Sequence, residues 1–80
     1  MKVTIKYFGL IADITHQKEE VFTFDVDTLK LGDLMESLSQ EYAGLNQASF
    51  SVAVNKKMAT DDLLLADNDV VALLPPFAGG

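Results

Sequence analysis

The sequence contains no cysteine, no tryptophan and no arginine, and it has a single histidine and two prolines. Without cysteine there is no disulfide framework, no thiolate metal site and no cysteine nucleophile. His16 alone cannot assemble a zinc site, and within Thr15-His16-Gln17 it reads as a solvated surface residue. Nucleic-acid binders neutralise phosphates with clustered Lys and Arg. Six lysines against twelve acidic residues, for a net charge of -6, argue against such a partner. An acidic surface suits a basic protein partner, and it serves solubility equally well. The opening Met1-Lys2-Val3-Thr4-Ile5-Lys6 alternates in polarity instead of forming the apolar run of a signal peptide. No stretch approaches the length of a membrane span. The chain therefore reads as cytoplasmic, with neither a membrane nor nucleic acid as partner.

What is present is a chain of 80 residues, enough for one domain, with 49% apolar and 22% charged residues. Val3, Ile5 and Tyr7 alternate with Lys2, Thr4, Lys6 and Phe8, the pattern of a strand with one buried face. Residues 20 to 26 repeat it, Phe22, Phe24 and Val26 standing against Val21, Thr23 and Asp25. Between them, Leu10, Ile11 and Ile14 predict a short helical turn along the core. Leu31, Leu34, Met35, Leu38 and Tyr42 form one continuous helical stripe, with Asp33 and Glu36 in the early turns. Gly44 is placed to end this helix, and Thr28 or Lys30 to begin it. Phe50, Val52 and Val54 mark a third strand, Asn55-Lys56-Lys57 a turn, and Met58-Ala59 a short return. The run Ala66-Asp67-Asn68-Asp69 is a further turn, and Val70 to Leu74 is the last strand. Asp61-Asp62 and Asp67/Asp69 lack the spacing of a calcium loop, so no metal site is expected.

One amphipathic helix suffices to cover one face of a mixed sheet. The order predicts an α+β chain of the β-grasp, or ubiquitin-like, class. Residues 1–74 form the domain, and residues 75–80 a flexible, extended C-terminal tail.

That tail, Pro75-Pro76-Phe77-Ala78-Gly79-Gly80, is where chemistry is expected. The prolines cannot donate to a ladder and stiffen the exit from the sheet. Six extended residues span about 20 Å, enough to enter a partner's channel. Gly79 and Gly80 carry no Cβ, so a narrow channel can close around them. The carboxylate of Gly80 is inert until its oxygen becomes a leaving group. ATP would supply that activation, but the sequence has no phosphate-cradling GxxxxGK[ST] loop, so ATP belongs to a partner. No cofactor is expected to be bound permanently. Phe8 and Leu74 fall on the sheet face opposite Val3, Ile5, Tyr7, Val71 and Leu73, marking a candidate docking surface beside the tail.

The segment Leu65 to Gly80, LADNDVVALLPPFAGG, resembles the C-terminus of the small, sulfur-carrying subunit of molybdopterin synthase. The helix opening Leu31-Gly32-Asp33-Leu34 and the strand end Tyr7-Phe8-Gly9 are similar as well, as are length and element order. The resemblance places the chain in the MoaD/ThiS superfamily of ubiquitin-like sulfur carriers. Phe77 stands where a smaller β-branched residue is common in the family. The resemblance implies that an E1-like adenylyltransferase activates Gly80 and that a sulfur donor protein makes it a thiocarboxylate. The tail would then enter the large synthase subunit, in a heterotetramer with two of each chain, and give sulfur to cyclic pyranopterin monophosphate in molybdenum cofactor biosynthesis. It also implies that Met58 is an apolar contact, and that Pro75, Pro76, Phe77 and Ala78 meet the partner. The chain would then be a non-catalytic subunit and no enzyme on its own. A sulfur carrier for thiamine (thiazole) biosynthesis, a ubiquitin-like modifier and a plain ubiquitin-like binding module are the other readings.

Overall fold

The computed structural model describes residues 1–76. The expectations for Phe77, Ala78, Gly79 and Gly80 lie outside the described residues. Strand β1 (Lys2–Tyr7) leads into a short helix α1 (Leu10–Thr15), strand β2 (Glu19–Thr23) and a two-residue strand β3 (Leu29–Lys30). Helix α2 (Leu31–Glu41) and a 3-10 turn (Ala43–Gln47) follow. The chain closes with β4 (Ser51–Val54), β5 (Lys57–Met58), β6 (Leu64–Leu65) and β7 (Asp69–Leu74).

Five strands form one mixed sheet in the order β2-β1-β7-β4-β5, and β3 pairs with β6 in a second, two-stranded sheet. The central pair is parallel, with Ile5 opposite Val71 and Tyr7 opposite Leu73. Its neighbours run antiparallel. Period-two alternation then sends Val3, Ile5, Tyr7, Val71 and Leu73 to one face, all 2% exposed or less. Leu31, Leu34 and Leu38 of α2, each 1% exposed, cover that face. This is the β-grasp arrangement expected from the element order, with one main helix packed on one side of the sheet.

The helix begins differently from its sequence expectation. Neither Thr28 nor Lys30 caps it with a side chain. The Leu31 and Gly32 amides instead donate to the carbonyls of Leu63 (2.8 Å) and Asp61 (3.0 Å). Orphan donors of the first turn are thus satisfied by a distant backbone segment. A Cβ on Gly32 would meet the Asp61 Cβ at 3.0 Å, so glycine is what lets that segment come close.

Gly44 does not end α2. The helix stops at Tyr42, whose amide donates to the Leu38 carbonyl at 2.8 Å. Gly44 lies in the 3-10 turn, where a Cβ would sit 3.0 Å from Ile14 Cγ2. Close packing of α1, not helix termination, requires glycine there.

Other expectations are corrected at the margins. Strand β2 stops at Thr23, and Val26 is exposed, because the chain turns toward β3. Phe22 and Phe24 are half-buried with stacked rings 6.2 Å apart. Leu10 points outward at 62% exposure, leaving Ile11 as the α1 side chain sunk into the core. Lys57 pairs with Val54 in β5, so Asn55 and Lys56 alone make the turn. Among the described residues, no helix is long and apolar enough to cross a membrane.

Candidate functional site: the outer sheet face and the tail exit

The sheet face away from α2 is set by register. Lys6 lies beside Ala72, Ala72 beside Ala53, and Ala53 beside Met58, one row across β1, β7, β4 and β5. Thr4 beside Val70 makes the next row, and Leu74 lies across from Ser51. Two alanines facing each other on neighbouring strands leave a depression between larger side chains. The result is a shallow groove of about 550 Å³ with Ala53, Ala72 and Val70 as floor and Phe8, Met58 and Leu74 around it. Phe8 is 44% and Met58 66% exposed, so two large apolar side chains of the groove stand open to solvent.

The tail leaves from the rim of this groove. The Phe8 amide donates to the Leu73 carbonyl at 3.3 Å, and β7 ends one residue later. Pro75 then lies across the β1–α1 turn. A Cβ on Gly9 would meet Pro75 Cγ at 3.0 Å, and Gly9 itself holds φ +55 and ψ -131, a conformation open to glycine. Pro75 is half-buried and Pro76 exposed. The structure thus brings Phe8, Met58 and Leu74 around one groove, with Pro75 following Leu74 at the start of the tail.

The remaining polar clusters are accounted for structurally. On the helix side, the Tyr7 and Tyr42 hydroxyls both donate to Glu20 Oε1 at 2.9 Å, and Gln17 Nε2 donates to the Tyr42 hydroxyl at 2.8 Å. Partial burial and the Glu20 carboxylate push Tyr42 up to about 12, and burial drives Tyr7 higher still. Both phenols therefore remain protonated donors near neutral pH and supply no nucleophile or base. His16 is exposed at the end of α1. Asp69 accepts from the Ala66 amide (2.8 Å) and the Asn55 side chain (2.9 Å), and Asp67 from the Lys2 amide (2.8 Å). These contacts close the 66–69 turn and tie it to β1 and to the turn at Asn55. Among the described residues, no group of three or more His, Asp or Glu side chains could hold a metal ion.

Sequence reasoning missed the groove floor, Gly9, and the lysines Lys6 and Lys56 at the groove. Alternation does place Val70 and Ala72 on the face of Leu74. Ala53 joins them only through the β4–β7 register, which the sequence does not display.

Residues 5–80 match the ThiS family. A molybdopterin synthase sulfur carrier subunit of Mycobacterium tuberculosis is 32% identical over 84 residues, covering 100% of this chain and 99% of the relative. Among solved structures, a putative molybdopterin converting factor subunit 1 from Pyrococcus furiosus superposes with a TM-score of 0.86 at 25% identity, covering 96% of this chain and 99% of that one. A chain from the complex of molybdopterin-converting factor subunits 1 and 2 of Helicobacter pylori superposes with a TM-score of 0.71 at 28% identity, both chains covered in full. The β-grasp sheet, the tail leaving its central strand and a match along nearly the whole length place this chain in the ThiS family.

Proposed function

We propose that the chain is the sulfur carrier subunit of a molybdopterin synthase. The observation that carries this is the exit of the tail at Pro75 from the rim of an exposed apolar groove, in a chain that matches the ThiS family through residue 80. A partner that covers Phe8, Met58 and Leu74 receives the tail in the same contact. The match to the M. tuberculosis carrier subunit over its whole length supports the molybdenum pathway over its relatives.

On this reading an E1-like adenylyltransferase binds ATP, and the Gly80 carboxylate oxygen attacks its α-phosphate, releasing pyrophosphate. A sulfide-level sulfur released by a donor protein then attacks the acyl carbon; the carbon–sulfur bond forms as the carbon–oxygen bond to AMP breaks, leaving a thiocarboxylate. Gly79 and Gly80 keep the tip slim enough for a closed channel, and Phe77 and Ala78 line the approach. In the large synthase subunit the thiocarboxylate sulfur bonds to cyclic pyranopterin monophosphate, and water then cleaves the bond between that sulfur and the Gly80 acyl carbon, restoring the carboxylate. Two carriers serve a dimer of large subunits. The chain contributes a reacting group and a docking face, and the catalytic groups belong to its partners.

Capture with the immobilised full chain from an extract of its own source tests the pathway. Recovery of a large synthase subunit, lost in Met58→Asp, is the expected result. Recovery of a thiazole synthase instead would move the chain to thiamine biosynthesis. Isopeptide ladders on other proteins would make it a modifier.

A further inference from the structure

The charges on the groove do not follow those of the molecule. Twelve acidic residues face six lysines in the sequence, yet the groove is lined by Lys6 and Lys56 and by no carboxylate. Glu19 stands opposite Lys6, on the β2 side, away from Ala72. Asp69 pairs with Val3 and so belongs to the helix-side face.

Lys56 carries a second, independent sign. It has φ +73 in a two-residue turn, after Asn55 at φ +50, between the paired Val54 and Lys57. Asparagine tolerates that region, whereas the second position of such a turn favours glycine. The geometry is imposed by its surroundings. The Asn55 amide donates to the Val70 carbonyl at 2.8 Å, and the Val70 amide to Asn55 Oδ1 at 3.0 Å. A long cationic side chain is therefore kept where glycine would be less strained, at the edge of the groove. Backbone strain of this kind persists only where the surrounding structure imposes it, and it clusters at functional sites.

We infer that the groove recognises a protein face presenting an apolar side chain flanked by carboxylates, with Lys6 and Lys56 as the two cationic contacts. The inference rests on the docking role proposed above and names the chemistry of the partner surface. An acidic partner face is attracted to this groove and repelled by most of the remaining surface. Charge then orients the encounter, and the Ala53–Ala72 floor accepts the apolar side chain. Net charge alone had suggested a basic partner. The local sign on the docking face is the reverse.

The test measures association of the full chain with the large synthase subunit of its own source, at low and high salt. Lys56→Gly should raise the melting temperature by about 4 °C or more, since the turn strain is relieved. It should weaken binding about three- to tenfold at low salt, mostly through the association rate, with the difference shrinking at high salt. Lys56→Glu should weaken binding further, and Lys30→Glu, the same charge change at the start of α2, should bind as the parent does. Met58→Asp, at a well-exposed position, should abolish binding. Lys56→Glu binding as tightly as Lys30→Glu, or more tightly than the parent, while Met58→Asp fails to bind, overturns the inference and leaves the docking role standing. Unchanged binding by Met58→Asp overturns the docking role itself.

Discussion

Glu20 shows how one side chain can bind elements together. Its Oε1 accepts from Tyr7 of β1 and from Tyr42 at the end of α2, whose rings meet edge to face at 6.3 Å. Each such bond to a charged acceptor contributes about 1.5–3 kcal/mol when partly buried. A phenol whose folded pKa is raised binds its proton more tightly in the folded state. Its contribution is thus complete below the ordinary value near 10 and is lost as pH rises through about 12. Stability should therefore decline from about pH 10 upward. Tyr42→Phe should be less stable than the parent at about pH 8, and the gap should close by about pH 12. Urea denaturation at both pH values checks this, and a constant gap would contradict it. The sequence placed Tyr7 and Tyr42 on inward-facing stripes. It could not reveal that both meet one carboxylate, because Tyr42 reaches Glu20 across 22 positions of chain.

At the scale of elements, what was legible followed periodicity. β1, β7 and α2 are long enough for alternation or a helical stripe to show, and their buried residues are Val3, Ile5, Tyr7, Val71, Leu73, Leu31, Leu34 and Leu38 as expected. β3 and β6 have two residues each and carry no period. Leu65, fully buried, was therefore not recognisable as core, while its neighbour Leu64 is 59% exposed. Gly44 was misread for a related reason. Gly32 and Gly44 are demanded by what approaches them, Asp61 and Ile14, and that is tertiary information. Gly9 is the case with consequences for the tail. Gly9→Ala places a Cβ 3.0 Å from the Pro75 ring at a φ that L side chains rarely adopt. It should lower stability by about 1–3 kcal/mol in a urea titration. A loss under about 0.5 kcal/mol would show that the β1–α1 turn readily takes another path.

For the whole molecule, the general plan of one main helix on a mixed sheet was readable, since each part has a local signature. The docking groove was half readable. Phe8 and Leu74 announce it by alternation, whereas its floor depends on Ala53 meeting Ala72 and its charge on the turn that holds Lys56. Composition misled at that point, because a net charge of -6 averages over faces of opposite sign.

The central claim is that Gly80 carries sulfur. It is tested most directly by the intact mass of the full chain after incubation with ATP and an extract of its own source that is active on a known sulfur carrier. The predicted result is a gain equal to one oxygen replaced by sulfur, absent when Gly80 is removed. An unchanged mass under those conditions would contradict the account.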